Sequence, residues 1–104
     1  MKKDTEITEV IFRKWKNPTY YNTIIALFPY LIDSLAGSIM CYEHIGQHGG
    51  ADYYACLGMT VPAKEEEYKD LKAELENYYG YNLKVIKKQN YIKYYNALKK
   101  AKEL

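Results

Sequence analysis

Residues 7–28 read ITEVIFRKWKNPTYYNTIIALF and hold two strand-forming segments separated by a turn signal. Residues 7–15 alternate β-branched and aromatic side chains at the period of a β-strand, and residues 23–28 form a nearly continuous apolar run. Pro18 and Pro29 should end these strands because proline lacks the N–H of the ladder. We therefore expect a β-hairpin packed against the core. Its first strand should place Val10 and Phe12 on one side and Ile11, Arg13 and Trp15 on the other.

A third strand is predicted at residues 38–45, where Ile39, Cys41 and Glu43 alternate with Met40, Tyr42 and His44. Three glycines follow it at positions 46, 49 and 50. Glycines are typical of turns and irregular segments, so we expect a loop of roughly a dozen residues after the strand.

The clearest helix signal lies between Thr60, the expected N-cap, and Gly80, the expected left-handed stop. Three glutamates at 65–67 favour a helix N-terminus there. The expected buried stripe of this helix contains Tyr68, Leu71, Leu75, Tyr78 and Tyr79.

The remaining residues predict a fourth strand over 81–88 and a final helix over 90–102. The buried stripe of this last helix should contain Tyr91, Tyr94, Tyr95, Leu98 and Ala101. The element order is then β-β-β-α-β-α. We predict a small α+β fold in which residues 1–104 form one domain, with a mainly antiparallel sheet packed by two helices.

The composition is that of a soluble protein with an uneven charge distribution. The chain has 104 residues, 13 of them tyrosine, and a net charge of +2. No apolar run reaches the ~20 residues of a membrane-spanning helix, and the charged N-terminus does not resemble a signal peptide. We expect a cytoplasmic protein with no membrane partner and no cofactor. Exposed strand edges would permit a homodimer.

The stretch from Cys41 to Cys56, CYEHIGQHGGADYYAC, contains both histidines and both cysteines of the chain. Histidine, glutamine, aspartate and tyrosine displayed on a loop suit contacts with a partner protein. The region between Asn17 and Ala63 has no lysine or arginine, which favours a basic partner. The predicted binding residues are Tyr42, His44, Gln47, His48, Asp52, Tyr53 and Tyr54.

The same stretch leaves two chemical alternatives open. Cys41, His44, His48 and Cys56 are the residue types that zinc prefers, although a strand would point Cys41 and His44 to opposite faces. A cysteine paired with a histidine would suit nucleophilic catalysis, but nothing in the spacing requires it. We expect neither metal nor catalysis, and we expect reduced thiols rather than a disulfide.

The C-terminal region favours a second kind of partner. Lysines dominate residues 84–104, where Glu103 is the single acid, and tyrosines lie among them. Cations that hold phosphates beside aromatics that stack on bases are typical of nucleic-acid grooves. The alternative interpretation is therefore a nucleic-acid-associated protein that uses Lys84, Lys87, Lys88, Lys93, Lys99 and Lys100.

Several segments together resemble a group of short, uncharacterised proteins encoded by phages and mobile elements of gut bacteria. The resemblance covers roughly residues 9–88, and its most distinctive part is HIGQHG followed by ADY. The stretch from Asn17 to Thr23 is longer than the turn of that group, and residues 31–37 also differ. The resemblance implies a non-enzymatic protein that binds and modulates a host protein, for example as an inhibitor of a host defence nuclease.

Overall fold

A computed structural model describes residues 6–19, 22–43 and 47–103, with six strands and three helices in these ranges. The fold is a small α+β domain, as the sequence predicts. Its elements are β1 (Thr8–Thr19), β2 (Asn22–Ile32), β3 (Ile39–Glu43), β4 (Gln47–Ala51), α1 (Tyr53–Met59), β5 (Thr60–Pro62), α2 (Glu65–Tyr79), β6 (Leu83–Val85) and α3 (Tyr91–Lys102).

The predicted hairpin of β1 and β2 is confirmed, but both strands are longer than expected. Ile11 pairs with Leu27 in an antiparallel register, and β1 continues through Pro18 to Thr19. Pro29 does not end β2 either, and the strand continues to Ile32. Each proline falls at a shift of register, between Lys14 and Thr19 in one case and between Phe28 and Ile32 in the other. Such irregularities accommodate a residue that cannot donate a ladder hydrogen bond.

The sheet is antiparallel along its main path, in the order β4-β3-β2-β1-β5. The outer edge of β1 is shared by two short strands. β5 pairs antiparallel with Arg13, Lys14 and Trp15, whereas β6 pairs parallel with Thr8, Glu9 and Val10. The central pair, β1 and β2, is therefore covered along both edges.

Side-chain alternation gives the sheet two apolar faces. We call them the α2 face and the α1/α3 face after the helices that cover them. The buried residues of the α2 face are Val10, Phe12, Ala26, Phe28, Tyr42, Leu71 and Leu75. Those of the α1/α3 face are Ile11, Ile25, Leu27, Ile39, Cys41, Tyr53 and Cys56. The alternation predicted for β1 and β3 is confirmed wherever these strands are described.

Helix α2 is confirmed, and its C-terminal end is as predicted, but it begins four residues later than expected. Thr60 belongs to β5, and Lys64 is the N-cap. The Glu67 carboxylate accepts a hydrogen bond from the Lys64 backbone N–H at 2.8 Å, so a glutamate stabilises the first turn. Gly80 ends the helix with a φ of 77°, as predicted. Tyr78 and Tyr79 are wrongly placed in the buried stripe, because both are exposed.

The predicted loop after β3 is wrong over residues 47–59, which form β4 and α1. Gly50 lies in β4 and not in a turn, and it lets the exposed Asp33 side chain lie against the strand, since a Cβ there would be 2.2 Å from the Asp33 Oδ2 atom. The Asp52 carboxylate then accepts the Ala55 N–H at 3.1 Å and starts α1. His44, Ile45 and Gly46, which the sequence assigns to the strand end and the loop, lie outside the described residues.

Helices α1 and α3 lie on the same face and are joined through Gln89. The Tyr53 hydroxyl of α1 accepts the Gln89 backbone N–H at 2.9 Å, and the Gln89 side chain donates to the Pro29 carbonyl at 3.0 Å. Helix α3 itself has no buried residue. Its predicted stripe is wrong for Tyr91 and Tyr95, which are exposed, whereas Tyr94 packs on the face and donates to the Gly37 carbonyl at 2.7 Å.

Of the helices in the described ranges, none is long and apolar enough to span a lipid bilayer.

Two glycines with open surroundings should respond to alanine in opposite directions. Nothing lies within 4 Å of a Cβ built on Gly80 or on Gly58. Gly80→Ala should lower the free energy of unfolding by about 1 kcal/mol because its φ is left-handed. Gly58→Ala should raise it by about 0.5 kcal/mol because Gly58 lies in helix α1. Urea unfolding measures both changes, and equal signs would contradict the assigned backbone conformations.

Candidate functional site

The most distinctive side-chain arrangement is a cluster of aromatic rings beside β4. It consists of His48, Tyr78, Tyr79 and Tyr81 around the buried Tyr42, and we call it the edge cluster. The His48 ring lies 4.6 Å from Tyr42, 5.0 Å from Tyr79 and 6.5 Å from Tyr81, between ring centroids. Tyr79 meets Tyr42 edge-on at 5.3 Å and Tyr78 edge-on at 4.9 Å. These distances are those of favourable aromatic pairs.

Three elements bring these rings together. Tyr42 and His48 are cross-strand partners in the β3–β4 hairpin, so their side chains share the α2 face. Helix α2 supplies Tyr78 and Tyr79 in its last turn. The left-handed Gly80 then turns the chain back, and Tyr81 returns to the same face, where it stacks on Phe28 at 5.2 Å. The sequence YYGY at 78–81 thus delivers three rings to one place.

Two polar contacts hold the cluster. The Tyr42 hydroxyl donates a hydrogen bond to the Glu74 carboxylate. The Tyr81 hydroxyl lies 3.4 Å from the His48 Nε2 atom. Burial, and after it the negative charge of a Tyr79 phenolate, raises the pKa of Tyr81 above its ordinary value, so this hydroxyl stays protonated at neutral pH. The arrangement can stack on, or donate to, a partner.

The predicted binding residues do not form one surface. Tyr42 and Tyr53 are buried, at 0% and 7% exposure, so these two assignments are wrong. Tyr42 lies on the α2 face and Tyr53 on the α1/α3 face. Asp52 caps α1, so its replacement should destabilise the helix. His48 and Tyr54 are exposed as expected, although Tyr54 packs edge-on against Tyr53 and so belongs with the opposite face.

His44 and the Gln47 side chain lie outside the described residues.

The zinc candidates do not converge either. Cys41 and Cys56 lie within the cluster of the α1/α3 face, whereas His48 lies on the α2 face. A sheet separates the thiols from this imidazole. In the described ranges, no group of three or more histidine, cysteine, aspartate or glutamate side chains is placed to hold a metal ion.

The two thiols are poor nucleophiles. Both are free and buried. Burial, followed by the charges of Cys56 and Glu43, raises the pKa of Cys41 to about 11. Burial, followed by the charge of Asp52, also raises the pKa of Cys56. Nucleophilic cysteines need a stabilised thiolate, so this environment opposes the Cys/His pair considered above.

The lysines of the alternative nucleic-acid surface lie on several elements. The Lys93 ammonium pairs with the Glu9 carboxylate, and this hydrogen bond raises the pKa of Lys93. The same ammonium lies 4.6 Å from the centre of the Tyr30 ring. The other five are exposed, as Lys93 is. Lys84 lies on β6, Lys87 and Lys88 on the connection to α3, and Lys99 and Lys100 in the last turn of α3.

Sequence reasoning missed Tyr78, Tyr79 and Tyr81 as surface candidates because all three fit a buried stripe or an inward strand position. Gly80 was the available signal for their exposure. It ends helix α2, and side chains in the last turn of a helix lie next to solvent. No family model matches this chain, and no curated protein or solved structure matches it, so the case for function depends on the side chains themselves.

Iodoacetamide labelling tests the environment of the thiols. A pKa of about 11 for Cys41, against 9.0 for an unperturbed thiol, leaves roughly one-hundredth of the usual thiolate at neutral pH. We expect Cys41 to react with iodoacetamide about 100-fold more slowly in the folded protein than in urea, as measured by mass spectrometry of labelled peptides. A native rate equal to that of free cysteine would show that the thiol is accessible and that its pKa is not raised.

Proposed function

We propose that this chain is a non-enzymatic binding protein that recognises a host protein through the edge cluster and the free edge of β4. The observation that carries the proposal is the exposed group of His48, Tyr78 and Tyr79 beside an edge strand. The edge cluster and the β4 edge take the place of the loop surface that the sequence predicts.

The edge cluster has the properties of an interface anchor. Tyr78 is 78% exposed and Tyr79 39%, although both are large aromatic residues. Aromatic side chains are enriched where proteins bind proteins and carry much of the binding energy. The rings also hold one another in place over the buried Tyr42, so binding would cost little side-chain entropy.

Strand β4 adds a backbone surface next to these rings. Within the described part of the chain, β4 pairs with β3 alone. Its Gly49 and Gly50 are exposed and carry no side chain. A partner strand could approach such an edge closely and continue the sheet, with the adjacent rings providing specificity. The proposed contact combines main-chain hydrogen bonds with aromatic packing.

The charges near the edge favour a basic partner. Of the three acids between residues 18 and 62, Glu43 accepts a hydrogen bond from the Trp15 indole at 2.8 Å and Asp52 caps α1. Asp33 packs beside Gly50 on the edge strand, and Glu74 lies under the cluster as the partner of Tyr42. Cations of a partner would meet the Asp33 and Glu74 carboxylates and the faces of the tyrosine rings.

The resemblance to phage and mobile-element proteins supports a partner in the host cell. A basic host protein that acts on nucleic acid, such as a defence nuclease, fits the charge argument. Inhibition would follow if the edge cluster covered the surface that the nuclease uses for its substrate.

A matched pair of tyrosine variants tests the proposed surface. Tyr78 and Tyr54 are both highly exposed, at 78% and 65%, and each meets a neighbouring tyrosine edge-on. Tyr78→Ser should reduce capture of the partner from nuclease-treated host lysate at least tenfold, because it removes an exposed anchor of the cluster. Tyr54→Ser, on the opposite face, should leave capture unchanged. Melting temperatures of both variants should stay close to that of the wild type.

Three results would contradict the proposed surface. They are equal losses of capture for the two variants, no loss for Tyr78→Ser, and capture that disappears once nucleic acid is digested.

Nucleic-acid binding is the second candidate, and the exposure of α3 favours it. Tyr91 and Tyr95 are 60% and 50% exposed, not buried as the sequence predicts. Their rings lie 6.3 Å apart at an interplanar angle of 26°. Lys99 follows Tyr95 by one helical turn, which places a cation beside an exposed ring. Stacked aromatics beside lysines can hold a single strand.

The salt dependence of DNA binding tests this second candidate. If Lys99 contacts a phosphate, Lys99→Gln should reduce the slope of log affinity against log salt by about 0.7 for a single strand. Lys69→Gln is the matched control, because Lys69 is exposed on α2, away from the stacked rings. Fluorescence anisotropy with an oligothymidine measures both slopes. Identical slopes for the two variants, or no binding at low salt, would remove the candidate.

A further inference from the structure

A cleft opens in the sheet on the side opposite β4, between the two short strands that share the edge of β1. Its volume is about 570 Å³, which is within the usual range for small-molecule sites. β5 and β6 supply its two sides. The cleft is separate from the edge cluster and shares no residue with it.

The topology of β1 creates this cleft. β6 pairs with residues 8–10 in the parallel direction, and β5 pairs with residues 13–15 in the antiparallel direction. Ile11 and Phe12 lie between the two pairings. Ladder bonds continue just beyond each short strand, from the Ile86 N–H to the Val10 carbonyl and from the Ala63 N–H to the Phe12 carbonyl. The two strands then diverge and leave a gap at the centre of the β1 edge.

The interior of the cleft is apolar. Its floor is formed by Ile11 and Phe12, both buried. The Tyr68 ring of α2 stacks on the Phe12 ring with centroids 4.3 Å apart and planes 8° from parallel, which makes one wall flat. Val85 and Ile86 form the wall on the β6 side, and Pro62 and Ala63 form the wall on the β5 side. An apolar ligand body would replace water against these surfaces.

The rim of the cleft is positively charged. Arg13, Lys64 and Lys87 line it together with one acid, Glu65. Arg13 is held by hydrogen bonds to the Thr60 hydroxyl at 2.9 Å and to the Thr60 carbonyl at 3.0 Å, so its charge is fixed in position.

The charge of these cations is partly compensated, because Glu65 lines the rim beside Lys64 and Lys64 also interacts with the Glu67 carboxylate. Within the described ranges, Arg13, Lys64 and Lys87 form no salt bridge. Glu67 is already paired with the Lys14 ammonium at 2.7 Å. This bond, and after it the hydrogen bond from the Lys64 backbone N–H, lowers the pKa of Glu67. The rim keeps a net positive charge and can attract an anion.

We propose that this cleft binds a small amphipathic anion, namely a carboxylate with an apolar body of the size of a medium-chain fatty acid. The body lies along the Phe12–Tyr68 stack, and the carboxylate meets Lys64 and Lys87 at the rim. The proposal is independent of the protein-binding surface, because the two sites lie at opposite edges of the sheet.

Titration with two amphiphiles of opposite charge tests the ligand class. Decanoate, below its micelle concentration, should shift the backbone amide resonances of Phe12, Ala63 and Ile86 with saturation. Decyltrimethylammonium, with the same chain and a positive head, should bind at least tenfold more weakly. Equal affinity for the two amphiphiles would overturn the proposal. So would decanoate shifts that do not saturate, or shifts that occur at amides remote from Phe12, Ala63 and Ile86.

A matched pair of double variants tests the rim. The first double variant combines Lys64→Gln with Lys87→Gln, and the second combines Lys84→Gln with Lys88→Gln. Both remove the same number of charges from exposed positions, but only Lys64 and Lys87 line the cleft. The first double variant should bind decanoate at least about fivefold more weakly, as expected for one close ion pair lost near the surface. The second should bind as the wild type does. Equal weakening in both would show attraction to net charge alone and would overturn the assigned site.

Discussion

The antiparallel register of β1 on β2 determines which side chains each helical layer covers. These two strands are the longest, and their side chains alternate between two buried faces: Phe12 and Phe28 point toward α2, and Ile11 and Leu27 point toward α1 and α3. A slip of one residue would exchange the two faces and place every buried side chain on the wrong side. Because both faces are apolar, each needs its own helical cover, and the three-layer arrangement follows.

The two candidate surfaces lie at opposite edges of the sheet. On one side the sheet ends at β4, a short strand with two glycines, and aromatic rings from three elements gather there. On the other side two short strands divide the edge of β1 and leave a cleft at Ile11 and Phe12. Polar and aromatic groups at the first position suit a protein partner, whereas an apolar floor with a cationic rim suits a small anion.

Part of this arrangement could be predicted from local patterns. Alternation over 7–15, the apolar run over 23–28 and the glutamate-rich start and glycine stop of α2 each reflect a local preference, and the corresponding elements are confirmed. Residues 47–59 could not be predicted in this way. Gly50 is typical of a turn, but it lies in a strand paired with Met40, and the exposed Asp33 side chain packs against it. Such a contact is invisible to local reasoning.

The tyrosines show the same limit. An exposed and a buried tyrosine have the same letter and the same helical spacing, so Tyr91 and Tyr95 fit a core stripe as well as Tyr94 does. What decides their position is which side of α3 faces the sheet: Tyr94 packs on the α1/α3 face, and Tyr91 and Tyr95 lie on the exposed side. The edge cluster was missed for the related reason that it forms only when a helix end, a hairpin and a returning chain meet.

The Gln89 junction has one further consequence. A single buried residue links a strand carbonyl, the first residue of α1 and the approach to α3, so neither helix can detach without giving up a hydrogen bond that the other also needs. Displacement of the first turn of α1 and displacement of the N-terminal end of α3 would therefore disturb the same buried residue, which couples these two helix ends.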